Sequence, residues 1–207
     1  STEEIARKFW EKETPGFGVI GEEFGIENPD AEYQWVIDPI DGTKAFIHGV
    51  PLFGTLIALY RKGTPLASLI RIPAMNTAVW AVKEGGAFLD GKPVNCSKVA
   101  TLSESLVLSG TVNTMETAGY GEKYEAVRRA AKLHSGWGDY YGYYLVAAGR
   151  AELMIDPVVS LWDIAPYPLL FKEAGGKFST IDGKTELFDT SGKPVAPIYE
   201  GYTSMAS

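Results

Sequence analysis

A nine-residue run at positions 35–43, W-V-I-D-P-I-D-G-T, constrains the fold of this chain more than any other stretch. Three apolar residues lead into an acid, a proline and a second acid, which predicts a buried strand followed by a turn. Pro39 stops regular strand pairing and fixes the bend. We therefore expect Asp38 and Asp41 to converge at the end of this strand.

The residues that follow the second acid favour an anion-binding turn. Gly42 lets the backbone approach a ligand closely. If a helix comes next, the N–H groups of Gly42, Thr43 and Lys44 form a site for an anion. Carboxylates beside an anion site require cations between the two, so the pattern indicates metal-assisted chemistry on a phosphate.

Composition narrows the class of protein. The chain has 207 residues, 45% hydrophobic and 22% charged, which suits one large or two small globular domains. The net charge of −7, with no offsetting Lys/Arg cluster, argues against nucleic acid as the main partner. We find no signal peptide and no apolar run long enough for a bilayer, so no membrane partner is expected. One cysteine, Cys96, permits no internal disulfide and fits a reducing compartment, so we expect a cytoplasmic protein.

The first half of the chain predicts a helix followed by a largely antiparallel sheet. The helix, at residues 3–13, is opened by the polar Ser1–Glu4 stretch and carries apolar Ile5, Phe9 and Trp10. Besides the strand of the opening run, strands are predicted at 17–20, 53–60, 65–72, 77–82 and 85–89. A hairpin turn at Asp90-Gly91 leads into residues 92–94.

The second half mixes strands and helices. Strands are predicted at 105–110, 151–155, 177–180 and 201–204, and helices at 124–133, at 143–149 and from 160 to 172. The pattern changes near residues 95–103, which divides the chain into an N-terminal α+β part, residues 1–98, and a C-terminal α/β part, residues 99–207. The predicted fold class is α/β (α+β).

Six acids lie where an apolar strand ends or a helix begins: Glu22, Glu23, Asp38, Asp41, Asp156 and Asp163. Taken singly, several have ordinary explanations. Asp163 suits a helix N-cap, Asp156 suits a turn, and the adjacent glutamates suit a solvated loop. A strand that ends on two acids followed by Gly-Thr is harder to explain in this way.

Two chemistries use so many acids. A two-metal phosphate site is one, with charge from Glu22, Asp38, Asp41 and Asp163, and with Thr43 to orient a water. Glycoside hydrolysis by paired carboxylates is the other. We rank it lower because it leaves the Asp-Gly-Thr anion site without a use.

Other chemically active residues give weaker signals. His48 and His134 have no partner at metal-ligand spacing, so surface or supporting roles are expected. Cys96 is expected to be a small buried residue and not a nucleophile. One aromatic group suits core packing and a substrate-pocket wall equally well: Trp137, Tyr140, Tyr141 and Tyr143.

Three motifs in this order resemble the inositol monophosphatase family: Gly21-Glu22-Glu23, the run at 35–43, and Trp162-Asp163 ahead of a helix that ends at Ala174-Gly175-Gly176. The match spans nearly the whole chain. It implies Mg²⁺-dependent hydrolysis of a phosphate monoester on a layered α/β/α/β/α fold of the sugar-phosphatase type. Two or three Mg²⁺ ions per site are implied, with Mn²⁺ or Zn²⁺ as alternatives.

The resemblance also implies roles for residues of this chain. It implies five metal ligands: Glu22, Asp38, the backbone carbonyl of Ile40, Asp41 and Asp163. The implied catalytic residues are Thr43, which positions the attacking water, Glu23, which helps to hold a water, and Asp41. The N–H groups of Gly42 and Thr43 are implied to receive the phosphate, and Asp156 to contact the rest of the substrate.

Within the family, some stretches are more similar to histidinol-phosphate phosphatases than to inositol phosphatases. They are residues 41–46 and 51–57, with Lys44-Ala45 where inositol phosphatases usually carry Thr-Asn, and the segment G-D-Y-Y-G-Y at 138–143. Histidinol phosphate carries an ammonium group and an imidazole, so an acid at position 139 suits it, and nearby aromatic rings suit the imidazole. We assign Lys44, Asp139 and Asp156 to substrate binding.

Three alternatives stay open: an inositol monophosphatase, a broad sugar or nucleotide phosphatase, and an inactive module that binds metal or phosphate. Family members begin some tens of residues earlier, with a Thr-x-x-Asp motif whose Asp assists the threonine equivalent to Thr43. We therefore expect this sequence to be a fragment of a longer chain. The family also implies a homodimer.

Overall fold

The computed structural model describes residues 1–198 and 202–207. The helices in these residues are α1 (Thr2–Glu13), α2 (Thr43–Ile47), α3 (Val112–Thr117), α4 (Gly121–Ala130), α5 (Asp139–Ala147), α6 (Leu161–Ile164) and α7 (Tyr167–Glu173). The strands form two sheets. This combination confirms the predicted α/β class.

The first sheet is formed by the N-terminal strands: β1 (Gly18–Gly21), β2 (Gly25–Glu27), β3 (Tyr33–Asp41), β4 (Gly54–Arg61), β5 (Thr64–Ile72), β6 (Thr77–Val82), β7 (Gly86–Leu89) and β8 (Lys92–Pro93). Their order is β2-β1-β3-β4-β5-β6-β7-β8, and only the β1–β3 pair among them is parallel. The predicted strands and the Asp90-Gly91 hairpin are confirmed. The short, mostly exposed β2 was not predicted.

The second sheet contains β9 (Leu106–Ser109), β10 (Leu133–Ser135), β11 (Leu153–Val159), β12 (Phe178–Ser179) and β13 (Tyr202–Ala206). Their order is β10-β9-β11-β13-β12. The first three pair in parallel, and β13 is antiparallel to both of its neighbours. Gly201, the first residue of the predicted strand at 201–204, lies outside the described residues.

The helices and sheets stack in five layers. Alternate side chains of a strand point to opposite faces, and the first sheet uses both. Ile37 packs with Trp10 of α1 on one face, while Val36 and Leu56 join the core that α5, α6 and α7 form on the other. Beyond that core lies the second sheet, whose outer face packs Ile155 against Met115 of α3. The predicted α/β/α/β/α arrangement is therefore present.

Several predicted boundaries differ from the structure. Helix α4 ends at Ala130, so Leu133 belongs to β10 and not to the predicted helix, and α3 was not predicted. Helix α5 begins at Asp139, four residues early. The helix expected from 160 to 172 is divided into α6 and α7 near Pro166, which lacks an N–H for helix continuation. Strand β11 continues past Asp156 to Val159.

The buried face of α1 is not the apolar one that the sequence suggests. Trp10 is buried, as expected, but Ile5 is 71% exposed and Phe9 is 59% exposed. The residue that shares the buried face with Trp10 is Glu3, which is fully buried. The amphipathic pattern thus predicted the helix correctly and its contact face only in part.

The main hydrophobic core draws on both predicted parts of the chain. Leu56 and Ile70 of the first sheet share it with Tyr143 of α5 and Phe171 of α7. The division at residues 98 and 99 separates the two sheets but not this core, so it stays a prediction. In residues 1–198 and 202–207, no helix has both the length and the apolar character needed to cross a membrane.

Candidate active site

A bulge in β3 brings two of the predicted acids to the same side of the first sheet. Asp38 pairs with Leu56 of β4 and Asp41 pairs with Gly54, so β3 spans three steps where β4 spans two. Side chains three positions apart normally point to opposite faces of a strand, and one extra residue brings them to the same face. The strand continues through Pro39 instead of ending there.

A third acid reaches the same place from the C-terminal half. Asp163 is the third residue of α6, and its Oδ2 accepts a hydrogen bond from the Ser160 N–H at 2.7 Å. Ser160 is the N-cap, so the N-cap position expected for Asp163 is wrong; Asp163 is instead the third helical residue of a capping box. One carboxylate oxygen from each of Asp38, Asp41 and Asp163 lies within 4.8 Å of the other two. We call this group the carboxylate cluster.

The turn between β1 and β2 carries two more of the predicted acids. Glu22 is exposed, and its carboxyl group lies within hydrogen-bonding reach of the Asp38 carboxyl group. Glu23 is also exposed, while its backbone N–H donates to Glu3 Oε2 at 2.8 Å. Glu22 therefore lies at the edge of the carboxylate cluster.

Burial and mutual repulsion raise the pKa values of the acids in the carboxylate cluster. Burial, followed by the charge of Asp41, raises the pKa of Asp38 well above its usual range. Burial and the charge of Asp163 do the same to the pKa of Asp41. Burial raises the pKa of Asp163 to about 6, although the Ser160 N–H opposes the shift. Protons or cations relieve such repulsion.

This donor set fits a hard divalent cation. Such ions prefer carboxylate and carbonyl oxygens, and the cluster offers several oxygens in one partly buried place. Its ligands come from β3, from α6 and from the turn after β1. The geometry therefore suits a metal centre between the two halves of the chain.

The Asp-Gly-Thr turn leads directly into α2. Gly42 has a left-handed φ of +81°, and a Cβ there would lie 2.7 Å from the Leu52 carbonyl oxygen, so only glycine fits without a shift. Its N–H, predicted to receive a phosphate, donates to Asp41 Oδ1 at 2.7 Å. Thr43 Oγ donates to the Ile40 carbonyl at 2.8 Å, which brings a predicted water-positioning hydroxyl beside a predicted metal ligand.

The three predicted substrate residues interact through their charges. Asp139 begins α5 with a left-handed φ of +52°, and Asp156 lies in β11. Burial, followed by the charge of Asp139, raises the pKa of Asp156 to about 7, and burial also raises the pKa of Asp139. The Lys44 ammonium offsets part of each increase in pKa. Lys44 thus reaches the neighbourhood of both acids from α2.

The aromatic group beside Asp139 is divided between two environments. Tyr140 and Tyr143 are buried, and Tyr143 stacks on Tyr167 with ring centroids 4.0 Å apart. Tyr141 is half-buried, whereas Trp137 is 47% exposed. Core packing therefore accounts for the two buried tyrosines, and Trp137 is an exposed ring two residues before Asp139.

The histidines and the cysteine lie outside the carboxylate cluster. His48 is exposed, with Nδ1 2.8 Å from the Lys44 carbonyl oxygen. His134 contacts the hydroxyl groups of Ser109 and Tyr124. Burial raises the pKa of the half-buried Cys96 thiol to about 11, so the reactive thiolate is scarce at neutral pH.

Sequence reasoning missed two contacts. The Tyr140 N–H donates to Asp41 Oδ2 at 2.7 Å and joins the end of β3 to the start of α5. The two residues are 99 positions apart, and no local sequence pattern indicates their contact. Glu3 lies against the turn that carries Glu22. Its spacing of seven residues from Trp10, two helical turns on the same face, was the available signal.

Comparison with known proteins identifies the family of this chain. A family model described as "Inositol monophosphatase family" matches residues 1–204. The chain belongs to the inositol monophosphatase family. The predicted resemblance is thereby confirmed, and the chain is a hydrolase of the phosphatase type.

Relatives within the inositol monophosphatase family carry two kinds of name. The chain is 38% identical to a histidinol-phosphatase of Chlorobaculum parvum, over 93% of this chain and 74% of that protein. It is 34% identical to an inositol-1-monophosphatase of Mesorhizobium japonicum, over 86% of this chain and 68% of that protein. A solved inositol monophosphatase from Zymomonas mobilis superimposes with a TM-score of 0.83 at 27% identity, covering 99% of this chain and 75% of that one. The fold is therefore that of the family.

Proposed function

We propose that this protein hydrolyses L-histidinol phosphate to L-histidinol and inorganic phosphate, with Mg²⁺ as the cation. The observation that carries the proposal is the convergence of Asp38, Asp41 and Asp163 beside the Asp-Gly-Thr turn. Acids without a neighbouring cation repel one another, and a phosphate monoester brings further negative charge. Bound divalent cations make the acids and the phosphate compatible without protonating either of them.

In this proposal the cation ligands are Glu22, Asp38, Asp41, Asp163 and the Ile40 carbonyl. Divalent cations supply Lewis-acid polarisation of the phosphate and neutralise charge that develops during hydrolysis. The ligand residues are held by their own hydrogen bonds. Asp38 Oδ1 accepts from the Ile40 N–H at 2.9 Å, and Asp163 is fixed by the capping box of α6. The chain therefore fixes its carboxylates before any ligand arrives.

The residues around the start of α2 handle the phosphate and the water. The Thr43 hydroxyl donates to Ile40 O and keeps its lone pairs free to accept a hydrogen bond from a water, which orients that water towards phosphorus. Glu23 helps to hold the water. The N–H groups at the start of α2 have no partner within the helix and receive phosphate oxygens. The Gly42 N–H exchanges Asp41 Oδ1 for such an oxygen when substrate binds.

Charge supports histidinol phosphate over a neutral polyol. Asp139 and Asp156 offer two acids for the substrate ammonium group, and Trp137 offers an exposed ring for the imidazole. The histidinol-phosphatase name of the Chlorobaculum parvum relative supports the same substrate. Lys44 lies near both acids and can move to the phosphate, which leaves the acids to the ammonium.

Inositol 1-phosphate is the second candidate substrate. Lys44 offsets part of the negative charge of Asp139 and Asp156, which makes the pocket less selective for a cation. The Mesorhizobium japonicum relative is named for the inositol activity. The two substrates share the metal centre and differ only in their contacts beyond the phosphate.

The test is release of inorganic phosphate from L-histidinol phosphate and from inositol 1-phosphate, each with Mg²⁺ and with a chelator. We expect chelator-sensitive release with kcat/KM about a hundredfold higher for histidinol phosphate, equivalent to about 2.7 kcal/mol of transition-state discrimination. The reverse preference would retain the metal centre and reject the substrate. No release from either substrate by the full-length protein would favour an inactive binding module.

A further inference from the structure

A buried acid of α1 contacts the turn that carries Glu22. Glu3 is fully buried, and its Oε2 accepts the Glu23 N–H at 2.8 Å while its Oε1 accepts the Phe24 N–H at 3.3 Å. A buried carboxylate is costly unless it is paired and hydrogen-bonded. Here two of its hydrogen bonds go to consecutive backbone groups of one turn.

Arg7, one helical turn further along α1, holds the same carboxylate and the far end of the turn. Its Nε donates to Glu3 Oε1 at 2.8 Å, and a terminal nitrogen donates to the Gly25 carbonyl at 2.7 Å. The other terminal nitrogen donates to Glu27 at 3.1 Å. The Arg7 side chain, 13% exposed, thus links α1 to residues 25 and 27. We call Glu3 and Arg7 the α1 clamp.

The turn is shaped to admit the clamp. A Cβ at Gly21 would lie 2.1 Å from Glu3 Oε1 and 2.4 Å from the carboxyl carbon. Any side chain at this position therefore displaces the carboxylate from the backbone N–H groups that it accepts. The Glu3 carboxylate therefore occupies space that is open only because residue 21 is a glycine.

Glu22 lies between the groups that the clamp fixes. Gly21 before it is paired in β1, and the backbone of Glu23 after it is held by Glu3. With both neighbours fixed, the Glu22 carboxyl group is directed to Asp38 at the edge of the carboxylate cluster. A loose turn would let this exposed side chain leave the cluster.

We propose that Glu3, oriented by Arg7, is a positioning residue that holds Glu22 in place for a divalent cation. The inference rests on the proposed function, because it gives Glu22 its role as a ligand. It goes further in assigning to α1 a part in cation affinity, without any contact between α1 and the cation. Outer groups that orient ligands typically change metal affinity by about 10–100-fold when they are replaced.

A purely structural role makes a different prediction. Exchange of a buried ion pair for apolar residues of similar size is often neutral or stabilising. The double variant Glu3→Leu/Arg7→Met therefore keeps the packing of α1 but leaves the Glu23 and Phe24 N–H groups without their acceptor. If the clamp serves only stability, this variant recovers both stability and cation affinity.

The experiment measures Mn²⁺ affinity by calorimetry, thermal unfolding in chelator, and phosphate release as a function of Mg²⁺. The variants are Glu3→Gln, the double variant and Gly21→Ala, with Glu11→Gln on the exposed side of α1 as the control. We expect about tenfold or greater loss of Mn²⁺ affinity in all three, with kcat largely restored at saturating Mg²⁺. The control retains wild-type affinity.

Two results overturn the proposal. One is Mn²⁺ affinity within twofold of wild type in folded Glu3→Gln and Gly21→Ala. The other is recovery of both affinity and stability by the double variant, which would assign the clamp to stability alone. Failure of the wild-type protein itself to bind Mn²⁺ would reject the metal centre of the proposed function, so the two failures are distinguishable. If Glu3→Gln does not fold, Gly21→Ala and the double variant decide the question.

Discussion

At the scale of single residues, acids of this chain titrate differently because their neighbours differ. Two arginines lower the pKa of Glu125 to about 2, whereas burial raises the pKa of Asp163 to about 6. Burial and neighbouring carboxylates raise the pKa values of Asp38 and Asp41 well above their usual range. Glu125 is paired with two arginines, whereas the three acids of the carboxylate cluster face one another, and this is how a candidate cation-binding centre differs from a solvated acidic surface.

Asp163→Asn is the cleanest single test of the carboxylate cluster. Asn retains an oxygen for the Ser160 N–H, so the capping of α6 survives, whereas Asp41 uses both oxygens to accept N–H groups. We expect kcat to fall by at least about a hundredfold and cation affinity to weaken, since one charged ligand is lost. Thermal unfolding in chelator should occur at or above the wild-type temperature. Near-wild-type kcat would contradict the ligand assignment.

Asp139→Asn tests the substrate assignment. Asn tolerates the left-handed backbone conformation at this position, so the start of α5 is preserved. Loss of a charged partner for the ammonium should lower kcat/KM for histidinol phosphate by about 10–100-fold, and for inositol 1-phosphate by less than about threefold. Asp90→Asn, another left-handed aspartate in the β7–β8 hairpin, is the matched control. Equal losses on both substrates would argue against the histidinol assignment.

At the scale of elements, the bulge of β3 and the short α2 form the working part of the first sheet. The bulge turns Asp38 and Asp41 to one face, and the left-handed Gly42 starts α2 within a residue of the second acid. The proposed metal ligands and the proposed phosphate donors are thereby adjacent in sequence and in space. Such a short helix owes its position to its attachment to the sheet, since isolated short helices are unstable.

Gly42→Ala tests this junction. The added Cβ meets the Leu52 carbonyl at 2.7 Å in a strained backbone conformation, so we expect a loss of stability of about 2–3 kcal/mol and a clear fall in kcat/KM. Gly49→Ala is the control, because its φ is +70° but no atom lies within 4 Å of the added Cβ. It should cost only the backbone strain, about 1 kcal/mol, and leave kcat/KM unchanged. Chemical denaturation and steady-state kinetics of both variants give the comparison. Equal losses in the two would mean that the Leu52 contact is unimportant.

At the scale of the whole molecule, stacking of the layers assembles the candidate site from both halves of the chain. The first sheet supplies Asp38 and Asp41, and α6, which packs on the same sheet, supplies Asp163. Strand β11 of the second sheet supplies Asp156. The site therefore forms only when the layers are stacked, and its charge repulsion acts on the stability of the whole fold.

The pH dependence of stability should reveal this repulsion. In the unfolded chain these aspartates titrate near pH 4, but in the folded protein Asp163 titrates at about 6 and Asp156 at about 7. Between those values the folded state binds more protons than the unfolded state, so stability falls as pH rises from 5 to 7.5. In chelator we expect a decrease in the unfolding temperature on the order of 5 °C over this range.

Cations should remove most of that decrease, because they neutralise the cluster without protons. Calorimetric scans at pH 5 and pH 7.5, with Mg²⁺ and with chelator, measure both effects. Asp163→Asn should show a smaller decrease than wild type in chelator. An unfolding temperature that rises from pH 5 to 7.5 equally with and without Mg²⁺ would contradict the electrostatic account. Arginine-paired acids such as Glu125, with a pKa of about 2, titrate below this range.

Local patterns were sufficient for most elements and for the identity of the acids. The alternation in β4, the Asp90-Gly91 hairpin and the polar start of α1 are all encoded within a few residues. Weakly patterned elements were missed or displaced, as with β2, α3 and the end of α4. The break between α6 and α7 was overlooked because the apolar spacing continues past Pro166.

The sequence by itself determined most of the elements, the family and the candidate acids, because these depend on residue type and spacing along the chain. The tertiary structure decided which acids converge, that Glu3 and not Ile5 is buried, and that Lys44 lies near Asp139 and Asp156. Those outcomes depend on strand register, burial and Coulomb interactions between distant segments. Such interactions arise only when the layers pack, and no local pattern specifies them.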